Sequence, residues 1–251
     1  MALESPLFGA RIPRMRRFLS CSTLVTLCLV TPAFGAKLRP PTPAEQQVLQ
    51  KYESVINKVL DQFQSDDWDE NVDYAISEDV LVGPDTGRPL DVNEMFQRTY
   101  RVRNGSERWN RVVGPQMAKL QDEPDMSKKM AIGQALQALN SLEVEVHFNS
   151  AVSIDAPQPG GKSYIQVPGT AMAYHATANP YTHGAAYVLL FGNWQGLKYS
   201  AEHNAYQFHF AHPQNTPFIE NVVIQIYGAD DRIQELLKKV NWNAVNEGMT
   251  R

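Results

Sequence analysis

Cysteine is nearly absent from the sequence, and its placement excludes several kinds of chemistry. The chain of 251 residues has two cysteines, Cys21 and Cys28, and both lie within the first 36 residues. If that segment is removed, the remaining part has no disulfide, no thiol nucleophile and no thiolate metal ligand. A cysteine-free exported protein fits a bacterial periplasm, whereas eukaryotic secreted proteins more often use disulfides.

A long apolar run is also lacking, apart from one near the N-terminus. Arginines precede an apolar stretch of about 13 residues at 18–30, which is short of the roughly 20 needed to cross a bilayer. The small residues of "TPAFGA" follow, so the sequence predicts a signal peptide over 1–36 that is cleaved after Gly35 or Ala36. Met15 is an alternative start. We expect general secretion to the periplasm or the exterior.

The third absence is a basic run. The whole chain has a net charge of −4, and the first 36 residues hold four arginines and one glutamate, so the rest carries −7. A mildly acidic chain without a basic run argues against nucleic acid and against an anionic membrane surface as partners. After removal of the signal no stretch is long enough to span a membrane. The expected partners are therefore an unknown small molecule or an envelope protein.

The part after a proline-rich spacer at 37–42 begins with helical patterns. Thr42 suits an N-cap, Pro43 the first helical position, and Glu45 completes a capping box for a helix to about residue 64. Three shorter helical pieces are predicted at 91–100, 106–113 and 126–139. The first of these starts at a cap formed by Asp91 and Glu94, and Gly114-Pro115 is expected to end the second.

At residue 141 the pattern changes to an alternation with a period of two, which is typical of strands. "SLEVEVHFNS" places Leu142, Val144, Val146 and Phe148 on one side, and Glu143, Glu145, His147 and Asn149 on the other. Further strands are predicted at "SYIQV", "TAMAYHATA", "AAYVLLF", "AYQFHFAH" and "NVVIQIY". "AAYVLLF" is apolar on both faces and is expected to be central.

The order of these patterns predicts one α+β domain over 43–251. Its helix-rich part covers 43–140, its strand-rich part 141–228, and a last helix 230–241 starts at a capping box of Asp231 and Gln234. Such segregation is typical of N-terminal helices packed on an antiparallel β-sheet meander with a closing C-terminal helix.

Histidines are the candidate functional residues. All six lie between 147 and 212, in the strand-rich part. His209 and His212 would suit a shared metal on a helix, but on a strand they point to opposite faces, so no metal site is predicted there. His147, His175 and His209 are predicted to bind a ligand if their strands are neighbours with matching faces. The alternative is a solvated sheet face that carries polar residues.

An acidic segment resembles the calcium loop of an EF-hand. "DDWDENVDYAISE" places four oxygen-bearing residues at the loop spacing: Asp67, Asp69, Asn71 and Glu78. Val72, however, occupies the position where the loop needs a glycine, because the backbone turns there with a positive φ angle. The segment is therefore interpreted as an acidic surface turn.

Two other motifs also lack their structural context. "APQPGGKS" at 156–163 matches the loosest form of the phosphate-binding P-loop, but a strand follows it, and its prolines lack the amides that would bind phosphate. It is predicted to be a hairpin loop. "DTG" at Asp85 is explained by turn chemistry.

These patterns leave three functional hypotheses. No nucleophile elbow is present and no Ser, His and Asp can be grouped by spacing, so no catalytic residue and no cofactor are predicted. The first hypothesis is an exported soluble, non-enzymatic domain that binds a small ligand or a partner protein. The alternative is a metal-dependent or histidine-based enzyme that uses the polar sheet face, with at least three histidines, with or without Glu145, close enough to coordinate one ion. A third is a subunit of an envelope assembly that uses the acidic region 65–90 for contact.

Overall fold

A computed structural model describes six stretches of the chain: 41–71, 95–149, 163–176, 184–202, 205–213 and 216–249. Its helices are α1 (Pro43–Leu60), α2 (Gly114–Asp122), α3 (Met126–Asn140), α4 (Asp230–Lys239) and α5 (Asn243–Met249), with a π-helical turn at Trp109–Val113. Its strands are β1 (Trp68–Asn71), β2 (Met95–Val102), β3 (Ser141–Phe148), β4 (Met172–Ala176), β5 (Ala185–Gly192), β6 (Lys198–Ser200), β7 (Ala205–Gln207) and β8 (Asn221–Gly228). The predicted signal peptide, the "DTG" turn and the "PQPGGK" loop lie outside the described residues.

The main sheet has six antiparallel strands in the order β1-β2-β3-β8-β5-β4. The α+β class, with an antiparallel sheet and C-terminal helices, is confirmed. The last strand, β8, lies between β3 and β5, so the strand order departs from the chain order at that point. β6 and β7 pair with each other in a separate two-stranded sheet. None of the helices in the described residues is both long and apolar enough to cross a membrane.

One face of the sheet packs on the helices and forms the main core. The alternation predicted for β3 is confirmed, because Leu142, Val144, Val146 and Phe148 are buried on this face. Ile56 of α1 and Ile233 of α4 join the same core. Full burial of a side chain of this size contributes about 1.5–3 kcal/mol, so this layer provides much of the stability of the fold.

The first helix begins as predicted. The Thr42 backbone donates to Glu45 Oε2 at 2.6 Å, and the Glu45 backbone donates to Thr42 Oγ1, which completes the capping box. The helix ends at Leu60, earlier than the expected residue 64. Its end is held by Arg98 of β2, which donates to Asp61 Oδ1 at 2.9 Å, so a contact from the sheet fixes the boundary.

The prediction of a helix at 91–100 was wrong. Residues 95–102 form β2, which pairs with β1 on one side and with β3 on the other. Pairing with two strands outweighs the local cap pattern at Asp91 and Glu94, which itself lies outside the described residues. The part predicted to be helix-rich therefore contains two strands.

Gly114-Pro115 does not end a helix either. The π-helical turn leads directly into α2, where Pro115 occupies the first turn. Proline is tolerated there because the amide it lacks would have no helical partner in that turn.

The closing helix differs from its prediction in its cap. Ala229 is the N-cap of α4 and makes no side-chain cap bond. The two residues expected to form a box make tertiary contacts instead: Asp231 accepts from Arg108 at 3.2 Å, and Gln234 donates to the Tyr187 hydroxyl at 2.9 Å. The helix ends at Lys239, and α5, which was not predicted, follows it.

Two predicted strands are shorter in the structure. "SYIQV" makes an isolated bridge between Tyr164 and Tyr174. Of "AYQFHFAH", only Ala205–Gln207 is a strand, and it belongs to the small sheet. Asn149, which was expected on the polar side of β3, is fully buried with a φ of 46°, because it leaves the strand in a left-handed conformation.

Candidate functional site

The second face of the sheet has a polar half and an apolar half. Strand register places six half-buried polar side chains together on β2, β3 and β8, and we call this group the polar face: Gln97, Glu143, Glu145, His147, Gln225 and Tyr227. Gln97, Glu145 and Gln225 are directly opposite one another across the three strands. Glu143 is opposite Tyr227. Cross-strand neighbours on one face lie close enough for their side chains to interact.

Glu145 and His147 are the charged centre of the polar face. They are two residues apart on β3 and so project from the same side. Glu145 Oε2 lies 3.7 Å from His147 Nε2, and their side chains are 18% and 27% exposed. That distance is too long for a hydrogen bond, but it is short enough for an ion pair when the imidazole is protonated. The carboxylate of Glu145 is therefore only partly hydrated, and it can still accept hydrogen bonds.

Tyr227 connects the polar face across β8. Its phenol donates a hydrogen bond to Gln225 Oε1 and lies against the carboxylate of Glu145. Burial raises the pKa of Tyr227, and the negative charges of Glu145 and Glu143 raise it further. The phenol therefore lies beside negative charge in partly dehydrated surroundings, where electrostatic interactions are stronger than in water.

The arrangement is rich in acceptors. It offers carboxylate oxygens, while the phenol proton is already used within the group. Among the described residues, the buried Nε2 atom of His147 has no hydrogen-bond partner. Such a surface favours a ligand that brings positive charge or hydrogen-bond donors, and it disfavours an anion.

The apolar half lies on β4, β5 and the start of β8. Tyr174, Val188, Leu190 and Val223 form a second core cluster there with Trp194 and Tyr206. β7 and the segment after it cover this half, and the hydroxyls of Tyr164 and Tyr206 hydrogen-bond to each other. This half is therefore closed by the protein itself.

A shallow depression of about 370 Å³ lies beside β4 and is formed by residues 164–167 and 170–173. Its lining residues carry no charge. It lacks the charged groups that would fix the orientation of a ligand, whereas the polar face brings several polar side chains together, so the polar face is the better candidate.

The three histidines predicted to bind a ligand are not brought together. His147 is on the polar face, whereas His175 projects toward the helices, with its ring centroid 4.8 Å from that of Tyr187. β8 and β5 separate their strands, a span of roughly 14 Å at the usual strand spacing. His209 is exposed in the segment after β7. Of these three histidines, only His147 belongs to the candidate site.

The neighbouring His212 has a different partner. Its Nδ1 lies 3.1 Å from Glu220 Oε2, and its ring stacks on Phe218 with a centroid distance of 4.0 Å. In the described part of the chain, no group of three His, Cys, Asp or Glu residues could hold a metal ion. The segment 208–212 is not a strand, so the predicted opposite orientation of His209 and His212 does not apply.

The acidic segment resembling a calcium loop has structural contacts. Asp67 Oδ1 accepts the backbone amide of Arg108 at 3.2 Å, and Asp69 forms an ion pair with Arg103 at 2.7 Å. Residues 68–71 form β1. These two carboxylates therefore connect β1 to the segment that precedes α2.

Sequence reasoning missed Gln225, Tyr227 and Glu220. Gln225 and Tyr227 alternate with apolar residues in "NVVIQIY", which was a visible sign of a polar side. Their proximity to Glu145 depends on β8 pairing with β3, which one sequence does not reveal. No family model matches this chain, and no curated protein and no solved structure matches it.

Proposed function

We propose that this chain is an exported, non-enzymatic binding domain. In this proposal its polar face binds a small organic molecule that is positively charged or rich in hydrogen-bond donors. The observation that carries the proposal is the only partly hydrated carboxylate of Glu145, which lies between His147 and Tyr227. A carboxylate that is largely buried beside a tyrosine whose pKa it raises is a candidate for ligand recognition.

Charge supports a cationic ligand. Among the described residues, the ionic contact of Glu145 is with His147, which is charged only when protonated. The chain beyond residue 36 has a net charge of −7, so its overall field also attracts cations. A ligand ammonium group at the polar face would form an ion pair with the carboxylate of Glu145.

The geometry gives less support to a histidine-based or metal-dependent enzyme. That hypothesis needs at least three histidines close together, and His147, His175 and His209 lie on three different surfaces of the described structure. Export itself rests on the character of residues 1–36.

Thermal unfolding in the presence of three ligand classes tests the proposal. The classes are organic amines, neutral polyols and carboxylates. A ligand at 100 times its Kd adds about 2.7 kcal/mol, which for a chain of this size raises Tm by about 5–10 °C. We expect amines to give the largest rise, because they match both the charge and the acceptor groups of the polar face.

Matched variants locate the effect. Glu145→Gln keeps the shape of the side chain and removes its charge, whereas Glu202→Gln removes a charge from an exposed turn. The amine effect should be lost in the first variant and kept in the second. Carboxylates stabilising the protein more than amines, or an amine effect unchanged by Glu145→Gln, would refute the proposal.

A further inference from the structure

The segment that covers the apolar half of the sheet has an unusual attachment. We call residues 205–213 the aromatic flap. Near its start, Tyr206 is buried in the second core cluster, and the Phe208 ring packs on Trp194 with a centroid distance of 5.0 Å. Phe210 contacts Phe208 at 5.1 Å. Within the described residues the flap has no strand pairing beyond Gln207, so these ring contacts and its far end hold it in place.

The far end is attached to one buried carboxylate. Glu220 accepts the backbone amide of Ala211 at 2.9 and 3.0 Å and that of His212 at 3.0 Å. His212 Nδ1 lies 3.1 Å from the same carboxylate, and Asn193 Nδ2 donates to it at 2.9 Å. The Glu220 side chain is 1% exposed, so water cannot replace these partners while the flap is closed.

Glu220 can hold the far end of the flap because its carboxylate is negatively charged. The Asn193 side chain and the backbone amides of Ala211 and His212 each donate an N–H to the carboxylate, and an ionised carboxylate only accepts. A protonated carboxyl would carry a hydrogen that faces donors and would lose acceptor capacity. Burial alone raises the pKa of Glu220, but the amides of Ala211 and His212 and the His212 ring outweigh it and hold the pKa below its ordinary value. The flap is therefore held at neutral pH.

The sheet below is anchored independently of this carboxylate. Asn149 Oδ1 accepts the Glu220 backbone amide at 2.7 Å, and Asn149 Nδ2 donates to the Phe218 carbonyl at 2.8 Å. The Asn193 amide donates to the Glu220 carbonyl at 2.9 Å. Gly192 makes this approach possible, because a Cβ there would lie 2.5 Å from that carbonyl. The backbone of Glu220 thus stays fixed when its side chain changes charge.

We propose that Glu220 is an acid-sensitive latch, whose protonation releases the aromatic flap and uncovers the apolar half of the sheet while the six-stranded sheet stays folded. This inference does not depend on the ligand proposed for the polar face. The opened surface would bring Trp194 and its apolar neighbours into contact with water beside the polar face.

The groups around Glu220 determine the pH at which the flap is released. The flap contributes His212, which is 40% exposed and, when protonated, attracts the carboxylate. The turn after β5 contributes the neutral Asn193. α1 contributes Tyr52, whose hydroxyl reaches the neighbouring Ile219 carbonyl and is neutral in acid. Protonating His212 therefore strengthens the latch, and release requires protonation of Glu220 itself.

Amide hydrogen exchange measured residue by residue tests the latch. In the wild type we expect the amides of Ala211 and His212 to lose at least tenfold protection on acidification, after correction for intrinsic exchange, while β8 keeps its protection. Glu220→Gln should show the same loss at neutral pH, because it cannot carry the charge. Glu202→Gln serves as the matched control and should behave as the wild type.

A second measurement keeps the test decisive if Glu220→Gln fails to fold. The wild type is titrated with acid while its far-UV circular dichroism and its binding of a hydrophobic dye are followed together. Dye binding that rises before the circular dichroism changes supports the latch. The latch would be overturned if the flap amides and the β8 amides lost protection at the same pH and if dye binding and circular dichroism changed together.

Discussion

Asn149→Ala should strongly destabilise the fold, because one side chain joins the end of β3 to the start of β8. Asn149 is fully buried, and its amide satisfies the Glu220 N–H at 2.7 Å and the Phe218 carbonyl at 2.8 Å. Leaving the buried N–H without a partner costs about 1–3 kcal/mol, and losing the part-buried bond to the carbonyl costs about 0.5–1.5 kcal/mol. Alanine also tolerates the left-handed backbone less well than asparagine. The expected total is about 2–5 kcal/mol.

Urea unfolding followed by circular dichroism measures this loss, with the slope m checked for constancy. Asn149→Gly separates the two causes, since it removes the same hydrogen bonds but adopts the positive φ without strain. We expect the glycine variant to be more stable than the alanine variant by roughly 1 kcal/mol. A loss below 1 kcal/mol for Asn149→Ala, or a glycine variant less stable than the alanine variant, would show that the reasoning about this junction is wrong.

Three further predictions concern the fold and its processing. Burial raises the pKa of Tyr52 to about 12, so its neutral form stabilises the fold below pH 10, and this contribution is lost as the pH rises toward 12. In Tyr52→Phe the free energy of unfolding should therefore fall less steeply as the pH rises above 10. An unchanged pH dependence in this variant would contradict the reasoning. Asp61→Ala should cost about 1.5–3 kcal/mol in urea unfolding, because a guanidinium that is 3% exposed, that of Arg98, then loses its bond to Asp61 Oδ1. An equal or larger cost for Arg98→Met, which removes the buried charge itself, would count against this reasoning. Mass spectrometry of exported protein should find a mature chain that begins at Ala36 or Lys37, and an intact N-terminus would argue against the predicted cleavage.

Local sequence patterns were sufficient where a few neighbouring residues determine the structure. Thr42 and Glu45 meet within one turn of helix, so their capping box could be predicted and is present. The alternation at Leu142 and Val144 likewise needs only one buried face, and it is confirmed. The capping box and the alternation therefore supported the prediction of the α+β class.

Prediction failed where distant pairing decides the outcome. Phe96 and Tyr100 lie in a strand because β1 and β3 flank it, and a local helix cap gave no sign of that pairing. Asp231 was expected to cap its own helix, but its ion pair with Arg108, more than one hundred residues away in the chain, uses its carboxylate instead.

The candidate site was visible from the sequence only in part. Glu145 and His147 could be placed on one side of a strand from their spacing alone. Tyr227 could not be added, because its contact with Glu145 requires β8 to lie between β3 and β5. His175 could not be excluded, because which side of a strand faces the helices depends on its register with the neighbouring strand.

The most direct test of the proposed binding function is the Kd of the best organic amine, measured by calorimetry for the wild type and for Glu145→Gln. A hydrogen-bonded charge contributes about 1.5–3 kcal/mol, and 1.4 kcal/mol is a factor of ten, so the variant should bind at least tenfold more weakly. Glu202→Gln should keep the wild-type Kd. Equal Kd values for the wild type and Glu145→Gln would contradict the assignment of the polar face as the binding site.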